Sequence, residues 1–231
     1  MIKKALTVLL LALACIKGYS QSEFTPEWNF GVNFGPTFST MSFVTTAPGF
    51  ELNTKMLQQY KGGVSVRYIS EKNLGFIAEL NYSQQGYEQK FGEDLPKLKY
   101  SRTLSYIQIP FLTHIYFGKK GRAFVNLGPQ ISFLVGDSEK KNEAFSEWIA
   151  TSPPDSVYVV AHYGSKAQHK LDYGLVVGMG FELRTGAGNF TIEGRYYMGF
   201  SDIYKSHKTD PFSRSANRVM SAAITYYMKP F

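Results

Sequence analysis

The sequence predicts an all-β fold, an eight-stranded antiparallel up-and-down transmembrane β-barrel. Three observations carry that expectation. Eight segments alternate apolar with small or polar residues, the connections alternate between short and long, and the polar faces hardly use lysine. Successive side chains of a strand point to opposite faces, so strict period-two patterning marks a sheet with unlike environments on its two sides.

The first segment, WNFGVNFGPTF (Trp28 to Phe38), sets Trp, Phe, Val, Phe, Pro and Phe against Asn, Gly, Asn, Gly and Thr. Seven more follow: Tyr60 to Ile69, Phe76 to Ser83, Tyr106 to Phe117, Ala123 to Val135, Leu171 to Leu183, Phe190 to Ser201 and Arg218 to Phe231. Leu171 to Leu183 is the clearest, with Leu, Tyr, Leu, Val, Met, Phe, Leu on one face and Asp, Gly, Val, Gly, Gly, Glu on the other. In the last segment Met220, Ala222, Ile224, Tyr226 and Met228 form the apolar face, while the terminal Phe231 falls on the other parity. Glu71–Gly75, Gly118–Arg122 and Thr185–Asn189 read as tight, Gly-bearing hairpin turns. Thr40–Gln59, Gly86–Lys99, Gly136–Lys170 and Tyr204–Asn217 read as long loops. Even strand number, short turns at one end and long loops at the other describe an outer-membrane barrel with both termini periplasmic.

The N-terminus gives the compartment. Lys3 and Lys4 precede the apolar run Ala5–Ile16, and Gly18 and Ser20 stand at the small-residue positions of a cut before Gln21. That is the layout of a cleaved secretory signal over residues 1–20, with the barrel domain at 21–231. Ala12-Leu13-Ala14-Cys15 offers a competing lipoprotein reading with lipidation at Cys15, but a lipobox usually opens on a larger aliphatic residue. After cleavage 22 basic residues face 18 acidic ones, an excess too small and dispersed for nucleic-acid binding.

A soluble barrel would turn the aromatic face inward and a charged face to water. Lys61 is the only lysine on the polar faces, and eight strands enclose too little volume for this many large side chains. The apolar face is therefore assigned to lipid, represented by Trp28, Phe30, Phe34, Leu175, Val177, Phe181, Phe190 and Ile192. The lumen then holds Lys61, Arg67, Arg102, Arg184 and Arg195 with Glu79, Asp172, Glu182 and Glu193. Buried charges persist when paired, so these nine are expected to form an ion-pair network that fills the barrel; a narrow path for small solutes is the alternative.

No catalytic, cofactor or metal site is expected. The four histidines lack ligand spacing. A rim lipid-modifying enzyme built on His169 with Asp172, or on Ser206, His207 and Asp210, is the weakest of the three functional readings. In the longest loop Phe145, Trp148 and Ile149 form the stripe of a short helix stopped by Pro153-Pro154, either packed on the barrel as a lid or offered as a docking surface.

Five stretches carry a family resemblance: ELNYSQQG (Glu79–Gly86), SYIQIPFLTHIYF (Ser105–Phe117), NLGPQISFLVG (Asn126–Gly136), DYGLVVGMGFEL (Asp172–Leu183) and RYYMGFSDI (Arg195–Ile203). In this order they resemble the PorT-like outer-membrane β-barrel proteins of Bacteroidota. The resemblance implies an outer-membrane barrel, and beside it the residues lead us to expect a monomeric, non-enzymatic barrel in outer-membrane lipid without a cofactor. One branch of that family is linked to secretion and gliding machinery, which would make envelope or secretion-complex proteins the partners of the long loops. The ending YYMKPF departs from the usual alternation, which leaves the register of the last strand open.

Overall fold

The computed structural model describes residues 24–45, 52–92, 97–151, 163–205 and 212–228. Cys15, Pro153-Pro154, Ser206, His207, Asp210 and Phe231 lie outside them, as does the signal segment. Among the described residues nine strands are present: β1 (Glu27–Thr45), β2 (Thr54–Lys55), β3 (Leu57–Glu71), β4 (Leu74–Gln89), β5 (Tyr100–Gly118), β6 (Gly121–Lys141), β7 (Leu171–Thr185), β8 (Gly188–Gly199) and β9 (Phe212–Met228). All pairings are antiparallel, and the order β4-β3-β1-β9-β8-β7-β6-β5 closes on itself through β4–β5. Eight strands make the wall, and the two-residue β2 is appended to β4. Closure gives each of the eight wall strands a partner on both sides, which strands in hydrocarbon require.

Side-chain direction follows the sequence alternation. Trp28, Phe30, Phe34, Val177, Phe181, Phe190 and Ile192 lie on the outer face, 42–68% exposed, and Leu175 is half-buried there. Asn29, Asn33, Thr37, Ser65 and Asn81 point inward and are buried. On β9 Met220, Ile224 and Met228 face out while Val219, Ala223 and Tyr227 face in, which sets the register of the last strand. Two of the three short connections are two-residue turns, Lys72-Asn73 and Gly186-Ala187, and the third has three residues, Lys119, Lys120 and Gly121, between the paired Gly118 and Arg122. Asn73 adopts a left-handed backbone (φ 73°) and donates from Nδ2 to the Tyr116 carbonyl, a role for which asparagine is well suited.

The departures from expectation concentrate at the opposite end. There the strands run on: β1 to Thr45, β4 to Gln89, β5 back to Tyr100 and β6 to Lys141. The register between β5 and β6 shifts beside Ser105/Tyr106. The β6 alternation changes phase with it, so Asp137 and Glu139 turn inward where the preceding pattern would turn them out. The stretch Asp137–Lys141 is thus strand, and the helix α1 is confined to Glu143–Thr151. Asn142 begins it, its Oδ1 accepting from the Phe145 backbone N–H at 3.1 Å as an N-cap does.

Candidate functional site

The lumen contains separate clusters instead of one network. Near the short turns, Glu182 accepts two hydrogen bonds from Arg67, at 2.9 and 3.0 Å. Arg67 also donates to Asn29 Oδ1 at 2.6 Å and lies 4.1 Å over the Tyr227 ring. Arg122 stands 3.9 Å from Glu182 and stacks over Tyr116. Arg184 pairs with Glu27 at 2.9 Å at the barrel end, where both side chains keep about a quarter of their exposure.

In the middle, Arg195 binds Glu79 and Glu193 simultaneously with four hydrogen bonds of 2.7 Å. Neutral amides complete this cluster. Asn81 donates to Glu79 and Asn126 donates to Glu193, each at 2.8 Å, while His114 Nδ1 lies 2.7 Å from Asn126 Oδ1. Gly178 faces it from β7; a β-carbon there would stand 2.3 Å from Glu193 Oε1 and 3.0 Å from Arg195 Cγ. Gly178→Ala is therefore expected to cost about 1–3 kcal/mol by overpacking, read as a lowered urea midpoint of the vesicle-inserted protein.

Two expected members of the network behave differently. Lys61 is buried beside Glu79 and Glu193 but makes no ion pair within 4 Å among the described residues. It lines an internal space of about 20 Å³ with Thr37, Ser83, Gln108, Gln130 and Arg195, room for about one water. Asp172 is held by neutral groups, accepting from Ser201 Oγ and from Asn217 Nδ2. His169 is exposed and the hydrogen-bond partners of Asp172 are not histidines, so that pair does not assemble as a catalytic dyad. No group of three or more His, Cys, Asp or Glu among the described residues is placed to hold a metal.

Arg102 belongs to the long-loop end, not to the central lumen. It donates to both oxygens of Asp137 at 2.8 and 2.6 Å, to Glu139 at 3.0 Å, and to the Ser165 carbonyl. The same carboxylates accept from loop backbone, Asp137 from Ala167 N–H at 2.7 Å and Glu139 from Gly164 N–H at 3.1 Å. Around this hub Met41, Tyr87, Leu98, Tyr100, Leu104, Tyr106, Phe145, Ile203 and Tyr204 form the largest buried apolar cluster among the described residues. Phe145 of α1 is fully buried, meeting Tyr100 at 5.3 Å and Tyr163 at 4.9 Å between ring centres. Trp148 and Ile149 are half-buried against the same core, so the helix stripe packs on the barrel's own cap. Burial pushes the Tyr204 hydroxyl up to about 12 and raises that of Tyr163 as well, so both stay neutral in this cap.

Glu27, Arg122, Asp137 and Glu139 are absent from the sequence-derived set. Arg122 reads as part of a Lys-rich turn, although it has the parity of Phe124 and Asn126, which was the available signal. Asp137 and Glu139 lie beyond the register shift and carry no such signal.

Comparison with known proteins agrees with the closed ring. The family model described as outer membrane protein beta-barrel domain matches residues 19–205. Among solved structures, OprG from Pseudomonas aeruginosa is 12% identical with a TM-score of 0.49, covering 88% of this chain and 97% of that one. Ail, the attachment invasion locus protein of Yersinia pestis, is 12% identical with a TM-score of 0.41, covering 87% and 99%. AlkL, solved in lipid bilayers, is 10% identical with a TM-score of 0.45, covering 93% and 97%. No curated protein matches the sequence. The ring of eight lipid-length strands and the match across most of the chain together place the protein in the outer membrane protein β-barrel domain family, integral to the outer membrane.

Proposed function

We propose that the protein is a closed, non-enzymatic barrel that works as a scaffold, presenting its long-loop cap for recognition at the cell envelope, with both termini periplasmic. The observation that carries this reading is the filled lumen. The Arg195 cluster crosses the middle with side chains at hydrogen-bond distance, and the Phe145–Tyr204 core closes the mouth above it. A solute path would need contiguous space, and the polar space lined by Lys61 holds about 20 Å³. The resemblance of framework stretches to PorT-like barrels of Bacteroidota favours an accessory of a secretion or envelope assembly, and the self-completing ring favours a monomer.

Purified protein in planar bilayers is expected to give no stepwise conductance at neutral pH. Regular open-channel steps would replace the scaffold with the small-solute channel. In intact outer membranes, crosslinkers placed on exposed α1 residues such as Glu147 are expected to capture another envelope protein; recovery of the barrel alone would count against an accessory role.

A further inference from the structure

The long-loop end sorts its charges by direction. Three of its carboxylates turn inward, Asp137 and Glu139 to Arg102 and Asp172 to Asn217 and Ser201, while Glu143 and Glu147 of α1 are exposed. Arg102 is the inward cation that holds Asp137 and Glu139, and a set of lysines turns outward. Lys55, Glu88, Ser101 and Lys140 form one cross-strand row over β2, β4, β5 and β6, and Lys90 and Lys99 continue β4 and β5 just beyond it. Lys55, Lys90, Lys99 and Lys140 are exposed and make no ion pair within 4 Å among the described residues, leaving Glu88 as the sole acid in the row. The backbone beneath them is fixed, with Asn142 and Lys99 joined by two hydrogen bonds. On β9 Arg218 stands two residues before the outward Met220, on its long-loop side, and its Nη1 donates to the Gly199 and Asn217 carbonyls.

Height relative to the apolar belt suggests what meets this rim. Tyr82, Ile107 and Phe133 form an outward apolar row near the top of the belt here, with the exposed Val135 two residues beyond Phe133 on β6. Ser101 lies six residues further along β5, roughly 20 Å along a strand, or about 15 Å above that row at ordinary barrel tilt. Arg218 sits lower, roughly 7 Å beyond Met220 along β9. Cations at these two heights, facing sideways from the wall, would stand beside the saccharide heads of surrounding lipids. Lysine stems also reach along a surface while the charged head seeks anions.

We infer that this outward rim binds the anionic saccharide head of an outer-leaflet glycolipid through its phosphate and carboxylate groups. The inference rests on the reading that the long loops face the outer leaflet, and it gives the scaffold a lipid ligand. Carboxylates turned inward remove the repulsion that acids on the same face would impose. The arrangement is therefore selective for anions from the side, independently of what the top of the cap binds.

The test uses the full chain in zwitterionic micelles, titrated with rough-type lipopolysaccharide bearing lipid A phosphates and inner-core carboxylates. The quadruple variant Lys90→Gln, Lys99→Gln, Lys140→Gln, Arg218→Gln is expected to weaken binding tenfold or more. Glu88→Gln should tighten it about twofold to threefold. Lys119→Gln with Lys120→Gln, at the opposite end, should leave it unchanged. Unchanged affinity in the quadruple variant overturns the proposal. So does equal weakening by the Lys119 and Lys120 pair, or tighter binding of a soluble sulfated oligosaccharide than of the lipopolysaccharide. If the quadruple variant fails to insert, Glu88→Gln decides alone: equal or weaker binding rejects the rim. Labelling the Lys99 and Lys140 amines on intact cells tests orientation separately, because binding in micelles does not depend on which leaflet the loops face.

Discussion

Arg195→Met is expected to destabilise the inserted barrel by about 3–5 kcal/mol, the cost of leaving buried charges without their counterion. The reason lies in the geometry of the cluster. One guanidinium supplies all four 2.7 Å contacts to Glu79 and Glu193, whose side chains are 1% and 4% exposed. Methionine fills similar length but offers no donor. Lys61, the nearest remaining cation, makes no direct contact within 4 Å among the described residues and would stand between two unscreened carboxylates. The triple variant Arg195→Met, Glu79→Gln, Glu193→Gln should recover more than half of the loss, because amides cost far less to bury than carboxylates. Arg184→Gln is the control: its pair with Glu27 is partly exposed, and its loss should cost under about 1 kcal/mol. Urea unfolding in phospholipid vesicles measures all three. A loss below about 1 kcal/mol for Arg195→Met would mean that water reaches the carboxylates, and the filled-lumen reading would fall with it.

How far the sequence foretold this arrangement depends on what each strand face meets. Where one face meets lipid and the other a packed lumen, every residue sits in one of two unlike solvents, and the alternation states which. Arg67, Glu79, Glu182, Glu193 and Arg195 were legible for that reason, as were Trp28 and Phe181 on the other face. Beyond the apolar belt the contrast weakens. Both faces of β6 there carry Gly, Asp, Ser, Glu or Lys, so Gly136–Lys141 reads as loop although it is strand, and Tyr100–Ser105 falls between the predicted loop and the predicted strand although it is part of β5. A one-residue register shift beside Ser105/Tyr106 then reverses the β6 parity, and no residue type in that stretch announces it. Pairing is a further step removed from placement. Inward parity puts Lys61 and Asp172 in the lumen, but distance decides that Arg195 takes both central carboxylates and that Asp172 is met by Asn217 and Ser201. Phe145, Trp148 and Ile149 illustrate the same limit. Their spacing specifies a stripe on a helix, and a stripe fits a partner's groove or the barrel's own mouth equally well.

Arg102→Met should separate the cap from the barrel energetically. Arg102 contacts the loop at Ser165 and fixes Asp137 and Glu139, which in turn hold the Ala167 and Gly164 N–H groups. Those carboxylates are 10% and 21% exposed, so on losing the guanidinium they can turn toward water, unlike Glu79 and Glu193. The expected loss is therefore smaller, about 2 kcal/mol for charged hydrogen bonds, and it should be confined to the cap. A local opening equilibrium shifted by that amount raises the open population about 30-fold. Lys166 and Lys170 lie in this stretch and provide the readout: trypsin cleavage there should accelerate by a similar factor in inserted protein. The urea midpoint of the barrel should move little, because the Arg195 and Arg67 clusters do not touch this hub. Phe145→Ala should act on the same opening from the other side, removing a fully buried ring at about 3–5 kcal/mol. If Arg102→Met instead lowers the barrel midpoint as much as Arg195→Met while cleavage at Lys166 is unchanged, cap and wall unfold as one unit, and the cap cannot serve as a separately adjustable recognition surface.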